Sequence, residues 1–320
     1  MKDTLYAIGE ALIDFIPAEK GCAFSDVTAF SPQVGGAPAN VCGAFSRLGG
    51  KSQMLTQLGD DPFGHKIRDE LAGFGIGTEH ISMTDRANTA LAFVSLAADG
   101  NRTFSFYRNP SADMLYDPEQ IRPEWFRNAF ALHFCSVSLG DTPMCRAHRT
   151  AIDYALATHT MVSFDPNLRF PLWPDRDALY HAVWEFLPKA HVLKLSDEEL
   201  AFVTGETDIQ SALPKLFTGN VRLVVYTCGA GGAYAFTRKA SAFAPTQKVQ
   251  AVDTTGAGDA FIGSFLHSMY LYGVIDRTID TLTDAELKKM LEFSNRYCGR
   301  SVQAKGAIAS YPTWEEMEES

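Results

Sequence analysis

The feature of this sequence that most limits its fold is a rhythm of short, near-continuously apolar runs separated by longer stretches of helical period. LYAIGE (5–10), ALHFCSV (131–137), MVSFDPN (161–167), HVLKLS (191–196) and VRLVVYTCG (221–229) each end in polar residues or glycine. A run that is apolar on both faces suits a strand in a parallel sheet, because helices cover both sides of such a sheet. Segments 37–48, 63–74, 143–157, 175–187 and 197–204 carry apolar residues at helical spacing between these runs. The alternation predicts an α/β fold with a largely parallel central sheet.

Two segments break the rhythm. Residues 11–34 carry Phe15, Phe24 and Phe30 with little helical period, while NTALAFVSLAADGNRTFSFYR (88–108) alternates with period two around Asp99-Gly100, a hairpin signal. Both are expected to form antiparallel strands outside the main sheet. The expected organisation is a main α/β domain of residues 1–10, 35–87 and 116–320, with a small β-rich lid built from insertions 11–34 and 88–115. TWEEMEES (313–320) is expected to be a solvated terminus.

Charge and composition remove several function classes. With Lys+Arg 28 against Asp+Glu 38, the net charge of -10 disfavours nucleic acid as a partner. No apolar run reaches the roughly 20 residues of a membrane-spanning helix. Residues 1–17 lack the basic start and small-residue cleavage site of a signal peptide, so a cytoplasmic location is expected. The six cysteines form no C-x-x-C pair, which suggests neither a zinc site nor a disulfide framework.

The stretch AVDTTGAGDAFIGSF (251–265) places Asp259 directly after a Gly-Ala-Gly step. Phe261, Phe265 and Met269 recur at i, i+4 and i+8, so a helix is expected from about 257 to 271. At its start, unpaired N–H groups and the positive end of the dipole would converge, and glycine would let an anion approach the backbone. Local physics leaves Asp259 two roles, a functional carboxylate or a first-turn acid that stabilises the helix dipole. QVGGAPANVCGAFSRLGG (33–50) places Gly35 and Gly36 before a second helix, with Asn40 in its first turn. An amide there can both donate to and accept from hydroxyl groups. Upstream, AIGEALID reads as a strand end delivering Asp14, a carboxylate suited to a polyol. LGGKS (48–52) mimics the end of a P-loop, but Phe45 stands where the first P-loop glycine belongs and the segment closes a helix. Neither G-x-G-x-x-G after a strand nor G-x-S-x-G is present, which disfavours a dinucleotide oxidoreductase and a hydrolase.

Taken together, these motifs resemble a known family. The segment from Gly35 to Gly50 resembles the first signature of the ribokinase-like (PfkB) carbohydrate kinases, and DTTGAGDAF (253–261) resembles the second. FDPNLR (164–169), VLKLSDEE (192–199), TCGAGG (227–232) and QAKGAIASYP (303–312) follow in the family's order. The likeness implies a ribokinase-like three-layer αβα fold with a small β-rich lid. It also implies an ATP-dependent sugar kinase, most similar within the family to the bacterial fructokinases, that would form fructose 6-phosphate. Aminoimidazole riboside kinases share much of the pattern. A non-catalytic sugar-binding regulator is the alternative of another class, disfavoured by the intact Asp259 and Gly-Ala-Gly step.

The resemblance also implies roles for individual residues. Asp259 would be the general base, with the amides of Gly256, Ala257 and Gly258 as the anion hole. Asp14, Gly35, Gly36, Asn40 and Arg169 would contact the sugar, Arg169 alternatively reaching the phosphates, and Phe106 and Arg108 would close over it. Thr227, Gly229 and Gly232, with Gly231 completing the turn, would form a phosphate loop. Asn295 would lie near adenine, and Lys194 and Glu199 would face the phosphates and a hydrated Mg2+. The family's N-x-x-E motif appears here as Ser196-Asp197-Glu198-Glu199, without the Asn. A monovalent cation, K+, would be held by Asp253, Thr255, Ser301, Ala304, Gly306 and Ser310, largely through backbone oxygens. A homodimer formed through the Phe-rich lid is expected.

Overall fold

The computed structural model describes residues 2–19, 21–96 and 102–319. The chain opens with β1 (Thr4–Ile8), β2 (Leu12–Pro17), β3 (Phe30–Gly35), α1 (Ala37–Arg47), β4 (Lys51–Gly59), α2 (Pro62–Gly73), β5 (Ile76–Gly77) and β6 (Ile81–Thr84). It continues through β7 (Leu91–Leu96), β8 (Arg102–Tyr107), β9 (Ala129–Cys135), α3 (Pro143–Ala157), β10 (Met161–Asp165) and α4 (Arg176–Phe186). The remainder is β11 (Val192–Ser196), α5 (Asp197–Thr204), α6 (Ile209–Leu216), β12 (Leu223–Thr227), β13 (Ala233–Phe236), β14 (Ser241–Ala244), α7 (Ala257–Leu271), α8 (Asp284–Ser301) and α9 (Trp314–Glu318).

Among the described residues the main sheet runs β14-β13-β12-β11-β10-β9-β1-β4-β5, and β6 also pairs with β4. Neighbours from β12 to β5 are parallel, while β13 and β14 add an antiparallel edge. Alternation along β1 shows how the layers arise. Leu5 packs in one cluster with Val41 and Phe45 of α1 and Phe261 and Phe265 of α7. Its neighbours Tyr6 and Ile8 join Ile152 of α3 and Val183 of α4 on the other side. Successive side chains of a strand point to opposite faces, so a run apolar at every position is buried under helices on both sides.

The anticipated strands and helices are present with small shifts of boundary. One long strand, β4, departs from the expected apolar pattern because Ser52, Gln53, Thr56 and Gln57 interrupt it. These polar residues are tolerated next to β1 where they have distant partners: Ser52 Oγ donates to Cys42 O (3.2 Å) and Gln57 Nε2 to Ala112 O (2.8 Å).

A separate small sheet runs β3-β2-β7-β8, with strands drawn from the two segments that broke the βα rhythm. β7 and β8 pair antiparallel from Leu91 opposite Tyr107 to Leu96 opposite Arg102, and the expected Asp99-Gly100 turn between them lies outside the described residues. Asp14 belongs to this sheet, on β2, whereas the sequence suggested the end of the first strand. It pairs with Gln33 and Ala92, and Ala92 pairs with Phe106. Directly paired residues share a face, so Asp14 and Phe106 lie on the same side of the sheet. Phe15 and Phe93 stack on the opposite side at 4.6 Å.

Candidate active site

Parallel strands that all run one way bring their carboxyl ends to one edge, where α/β sheets form a crevice. Glu10, Asp165, Ser196 and Thr227 all lie at or just beyond such ends. A cleft of about 240 Å3 opens there, lined by residues 167–170, Lys194, Ser196, Glu198, Glu199, Thr254 and residues 256–259. It gathers Asp259, the Gly-Ala-Gly step, Arg169, Lys194 and Glu199 from the residues anticipated in the sequence.

The start of α7 forms one wall. Gly256 caps the helix at φ 72, a left-handed conformation that suits glycine, and its carbonyl accepts from Ala260 N (2.7 Å) and Tyr311 Oη (2.8 Å). Ala257 N donates to Thr254 O (3.2 Å), whereas the Gly258 and Asp259 amides are first-turn donors that a helix cannot satisfy internally. Lys194 comes so near that a Cβ on Gly258 would sit 3.3 Å from its Nζ. The first-turn amides of the helix therefore lie beside a cation.

Asp259 is 6% exposed, and both its oxygens are occupied. Asn40 Nδ2 donates to Oδ2 at 2.8 Å, and Asn167 Nδ2 donates to Oδ1 at 3.0 Å. Burial pushes this carboxyl above the usual carboxylate range, while the Asn40 hydrogen bond, Arg169, Lys194 and the Asn167 hydrogen bond pull the other way. Asn40 Oδ1 is buried with no partner among the described residues.

Behind this wall lies a second buried carboxylate that the sequence did not single out. Asp165 Oδ2 forms an ion pair with Lys194 Nζ (2.9 Å), both groups almost wholly enclosed. Burial alone would lower the Lys194 pKa, but Asp165, Glu199 and Asp259 outweigh it and hold the ammonium above the ordinary lysine value. Asp165 Oδ1 accepts from Asn167 N (3.1 Å). Both residues lie inside FDPNLR, yet nothing in that string says that Asn167 reaches a residue 92 positions away.

Glu199 is fully engaged. Its Oε1 accepts from Leu168 N (2.8 Å), and its Oε2 accepts from Ser196 N and Oγ (both 2.9 Å). Ser196 and Glu199 thus form a capping box at the start of α5. Arg169 Nη1 donates to Leu168 O (3.0 Å) and faces the cleft.

Thr227, Gly229, Gly232 and Asn295 lie beside this cleft rather than in its lining. Thr227 pairs in register with Ser196 on the neighbouring strand. Gly229 and Gly232 have φ of 49 and 108. A Cβ on Gly232 would strike the carbonyl of Ala244, the same atom that accepts from Asn295 Nδ2 at 2.8 Å. The structure thus draws the 229–232 turn, the end of β14 and α8 together at one place.

On the lid side, a Cβ on Gly35 would collide with the Asp14 carboxylate, and one on Gly36 with the backbone of Glu10. Phe106 stacks on Phe104 and packs with Leu12, Ala90 and Ala92. Arg108 is enclosed and ion-paired with Asp113, which also accepts from Ser111 Oγ. Glu10, buried nearby, accepts from Ser138 Oγ at 2.8 Å.

The segments proposed for a monovalent cation also converge. Asp253 Oδ1 accepts from Thr255 N (2.9 Å) and Thr255 Oγ1 (2.7 Å), while Oδ2 accepts from Gly306 N (3.0 Å). Ser301 Oγ and Ser310 Oγ turn back onto Cys298 O and Ala307 O, both 2.8 Å away. Among the described residues no cluster of three or more His, Cys, Asp or Glu side chains is arranged to hold a metal ion. No helix among them is long and apolar enough to cross a membrane.

Residues 2–314 match the model of the pfkB family carbohydrate kinases. The chain is 40% identical over 319 residues to the probable fructokinase-4 of Arabidopsis thaliana, covering 99% of this chain and 96% of that one. The crystal structure of a Xylella fastidiosa fructokinase with bound ATP superposes with TM-score 0.91 at 35% identity, over 100% of this chain and 98% of the other. A Vibrio cholerae fructokinase in a form bound to fructose, ADP and calcium ion gives 0.87 at 30% identity, over 99% and 98%.

Proposed function

The chain belongs to the pfkB family of carbohydrate kinases, and from that premise we propose that it transfers the γ-phosphate of ATP to fructose, forming fructose 6-phosphate. One observation carries the assignment: a buried carboxylate, Asp259, sits one residue beyond a Gly-Ala-Gly helix start, in a cleft shared with Lys194 and Arg169.

Phosphoryl transfer asks a protein chiefly for positioning and for charge stabilisation. Asp259 takes the proton of the attacking hydroxyl, a transfer that comes late because an alcohol is far weaker as an acid than a carboxylic acid. The amides of Gly256, Ala257 and Gly258 receive the charge of the transferring group, Ala257 N giving up its 3.2 Å bond to Thr254 O to do so, aided by Lys194 and Arg169. Asn40 offers its unpartnered Oδ1 to a sugar hydroxyl, and Asp14, Gly35, Gly36, Phe106 and Arg108 complete the acceptor side. Thr227, Gly229, Gly232 and Asn295 bind the nucleotide. Residues 11–34 and 88–115 act as the lid over the 1–10, 35–87 and 116–320 body, excluding water that would otherwise hydrolyse ATP.

ATP enters with a divalent metal, which we take to be Mg2+ and which would neutralise charge on the phosphates. Both Glu199 oxygens already accept from the protein, which suits contact with the metal's water shell rather than with the metal itself. Asp253 ties the 253–255 and 306 segments together, which suits K+ held by carbonyls of Thr255, Ser301, Ala304, Gly306 and Ser310. Dimerisation through the aromatic face of the lid, where Phe24 and Tyr107 are 45% and 63% exposed, and a cytoplasmic location complete the proposal.

A coupled assay of ATP consumption over fructose, ribose, aminoimidazole riboside, adenosine and 2-keto-3-deoxygluconate tests the assignment. Fructose is expected to give the highest kcat/KM; turnover with a nucleoside alone would overturn it. Light scattering tests the dimer.

A further inference from the structure

Asp259 meets side-chain amides at both of its oxygens, from elements far apart in the chain. Asn40 belongs to α1 and was expected on the acceptor side, so its contact has an independent reason to exist. Asn167 has no such reason. It follows β10 in the left-handed region at φ 44, which few residues other than Gly, Asn and Asp adopt readily. That conformation is held from below, because its N–H donates to Asp165 Oδ1 at 3.1 Å while Asp165 Oδ2 pairs with Lys194 at 2.9 Å. The backbone is thus bent and anchored, and the amide it carries ends 3.0 Å from Asp259 Oδ1.

We propose that Asn167 is a positioning residue for the proton transfer, its amide fixing the rotation of the Asp259 carboxylate and keeping it in the anionic form that can accept a proton. This rests on Asp259 being the base. A carboxylate torsion is broad and nearly two-fold, so a carboxylate held at one oxygen only can rotate away from its acceptor. Two amide donors, one per oxygen, remove that freedom and still leave each oxygen a lone pair for the incoming hydroxyl. A donor to the charged form also favours that form, which offsets burial. Through Asp165 the same strand end orients the amide and pairs the lysine beside the anion hole, so base and cation are set by one carboxylate.

The charged and titratable groups facing Asp259 are Arg169 and Asp165 around the end of β10, Lys194 on β11, Cys135 on β9 and Tyr311 beyond α8. Burial holds Cys135 and Tyr311 well above their ordinary values, so both stay neutral through the working range. Asp165 and Lys194 are retained in each Asn167 variant below, so their contribution is common to the comparison.

The test is the pH profile of kcat/KM for fructose in Asn167→Gly and Asn167→Asp, with Asp259→Asn alongside. Glycine keeps the left-handed backbone and removes only the amide, whereas aspartate keeps the shape and replaces a donor by an acceptor. In Asn167→Gly, kcat is expected to fall about 10- to 100-fold, as for loss of a hydrogen bond to a charged group, with ATP KM within about threefold. The acid limb is expected to move up by about one pH unit, and further in Asn167→Asp. An acid limb at the wild-type position in both variants would overturn the positioning role, provided Asp259→Asn is inactive. If Asp259→Asn retains wild-type turnover, the base itself is misassigned, and both readings fall. Infrared titration of the Asp259 carboxyl, taken as the difference between proteins with and without Asp259→Asn, gives a readout independent of turnover. It should rise in Asn167→Gly, and no rise would count against the role.

Discussion

Asn40 and Asp259, 219 positions apart, meet at 2.8 Å through Nδ2 and Oδ2, while Asn40 Oδ1 is left buried with no partner among the described residues. A buried acceptor without a donor costs about 1–3 kcal/mol, so a ligand hydroxyl that satisfies it gains affinity. Asn40→Ala is expected to raise the fructose KM by about tenfold or more with little change in ATP KM. Steady-state kinetics with each substrate varied in turn would show it, and an unchanged fructose KM would refute the contact.

Asp259→Asn is expected to lower kcat by about two to four orders of magnitude, the usual worth of a general base, while calorimetry shows ATP binding near wild type. Stability should change in the opposite sense. The native pKa of Asp259 is raised, so the folded state holds this proton more tightly than the unfolded one, and the carboxyl's contribution is lost as pH rises through its native value. The Asn variant should therefore melt above wild type at pH 8, with the gap narrowing as pH falls into the carboxylate range. A gap that widens on acidification would contradict the raised pKa.

Asp165 and Lys194 are buried with each other as the nearest opposite charge, 2.9 Å away. Removing either partner alone, as Asp165→Asn or Lys194→Met, is expected to cost about 3–5 kcal/mol because the other charge is stranded. The double variant should recover most of that loss in urea unfolding and none of the activity, since the cation beside the anion hole is gone. Additive single costs would mean that the pair does not act as one unit.

Gly256 and Gly273 both adopt left-handed φ, 72 and 66. A Cβ on Gly256 would come within 2.5 Å of Tyr311 Oη and 2.9 Å of the Ala307 Cβ, whereas nothing lies within 4 Å of one on Gly273. Gly273→Ala should cost about 1 kcal/mol of backbone strain and leave kinetics unchanged. Gly256→Ala carries that strain plus displacement of the anion-hole wall, and should lose both stability and kcat. Equal effects of the two would argue that the space around Gly256 is unimportant.

His133, His148 and His267 are buried, and desolvation holds their pKa values down to about 3, 4 and 4, against 6.5 for a free imidazole. The unfolded chain takes up these protons first, so the stability they lend is intact above pH 6.5 and drains away as pH falls toward 4. The urea midpoint should drop over this range, each histidine contributing up to about 1.4 kcal/mol per pH unit. A His148→Asn variant should show a flatter slope; an unchanged slope would mean that His148 titrates normally in the fold.

Much of the architecture was legible because its cause is local. A strand covered on both faces must be apolar at nearly every position, and β1, β9, β10, β11 and β12 announce themselves that way. β4 does not, since its buried Ser52, Thr56 and Gln57 break the pattern and two of them depend on partners elsewhere in the chain. The apolar run reads as one strand ending at Asp14, although the chain leaves the main sheet after Ile8 and joins the small one at Leu12. The enclosure of Arg108 against Asp113 cannot be read from PSAD, where that aspartate looks like a loop residue.

By itself the sequence determined the βα order, the helix that starts at Gly-Ala-Gly, and the presence of Asp259 within its first turn, all features governed by neighbours within a few residues. The tertiary structure alone decided that Asn40 and Asn167 grip that carboxylate from both sides and that Asp165 pairs with Lys194 beneath them. Hydrogen bonds and buried ion pairs act over about 3 Å, and a carboxylate's behaviour depends on which donors come that close. Asn167 reaches Asp259 because β10 delivers it at the carboxyl edge of the parallel sheet, and Asn40 reaches it because α1 packs against α7, convergences that no spacing along the chain records.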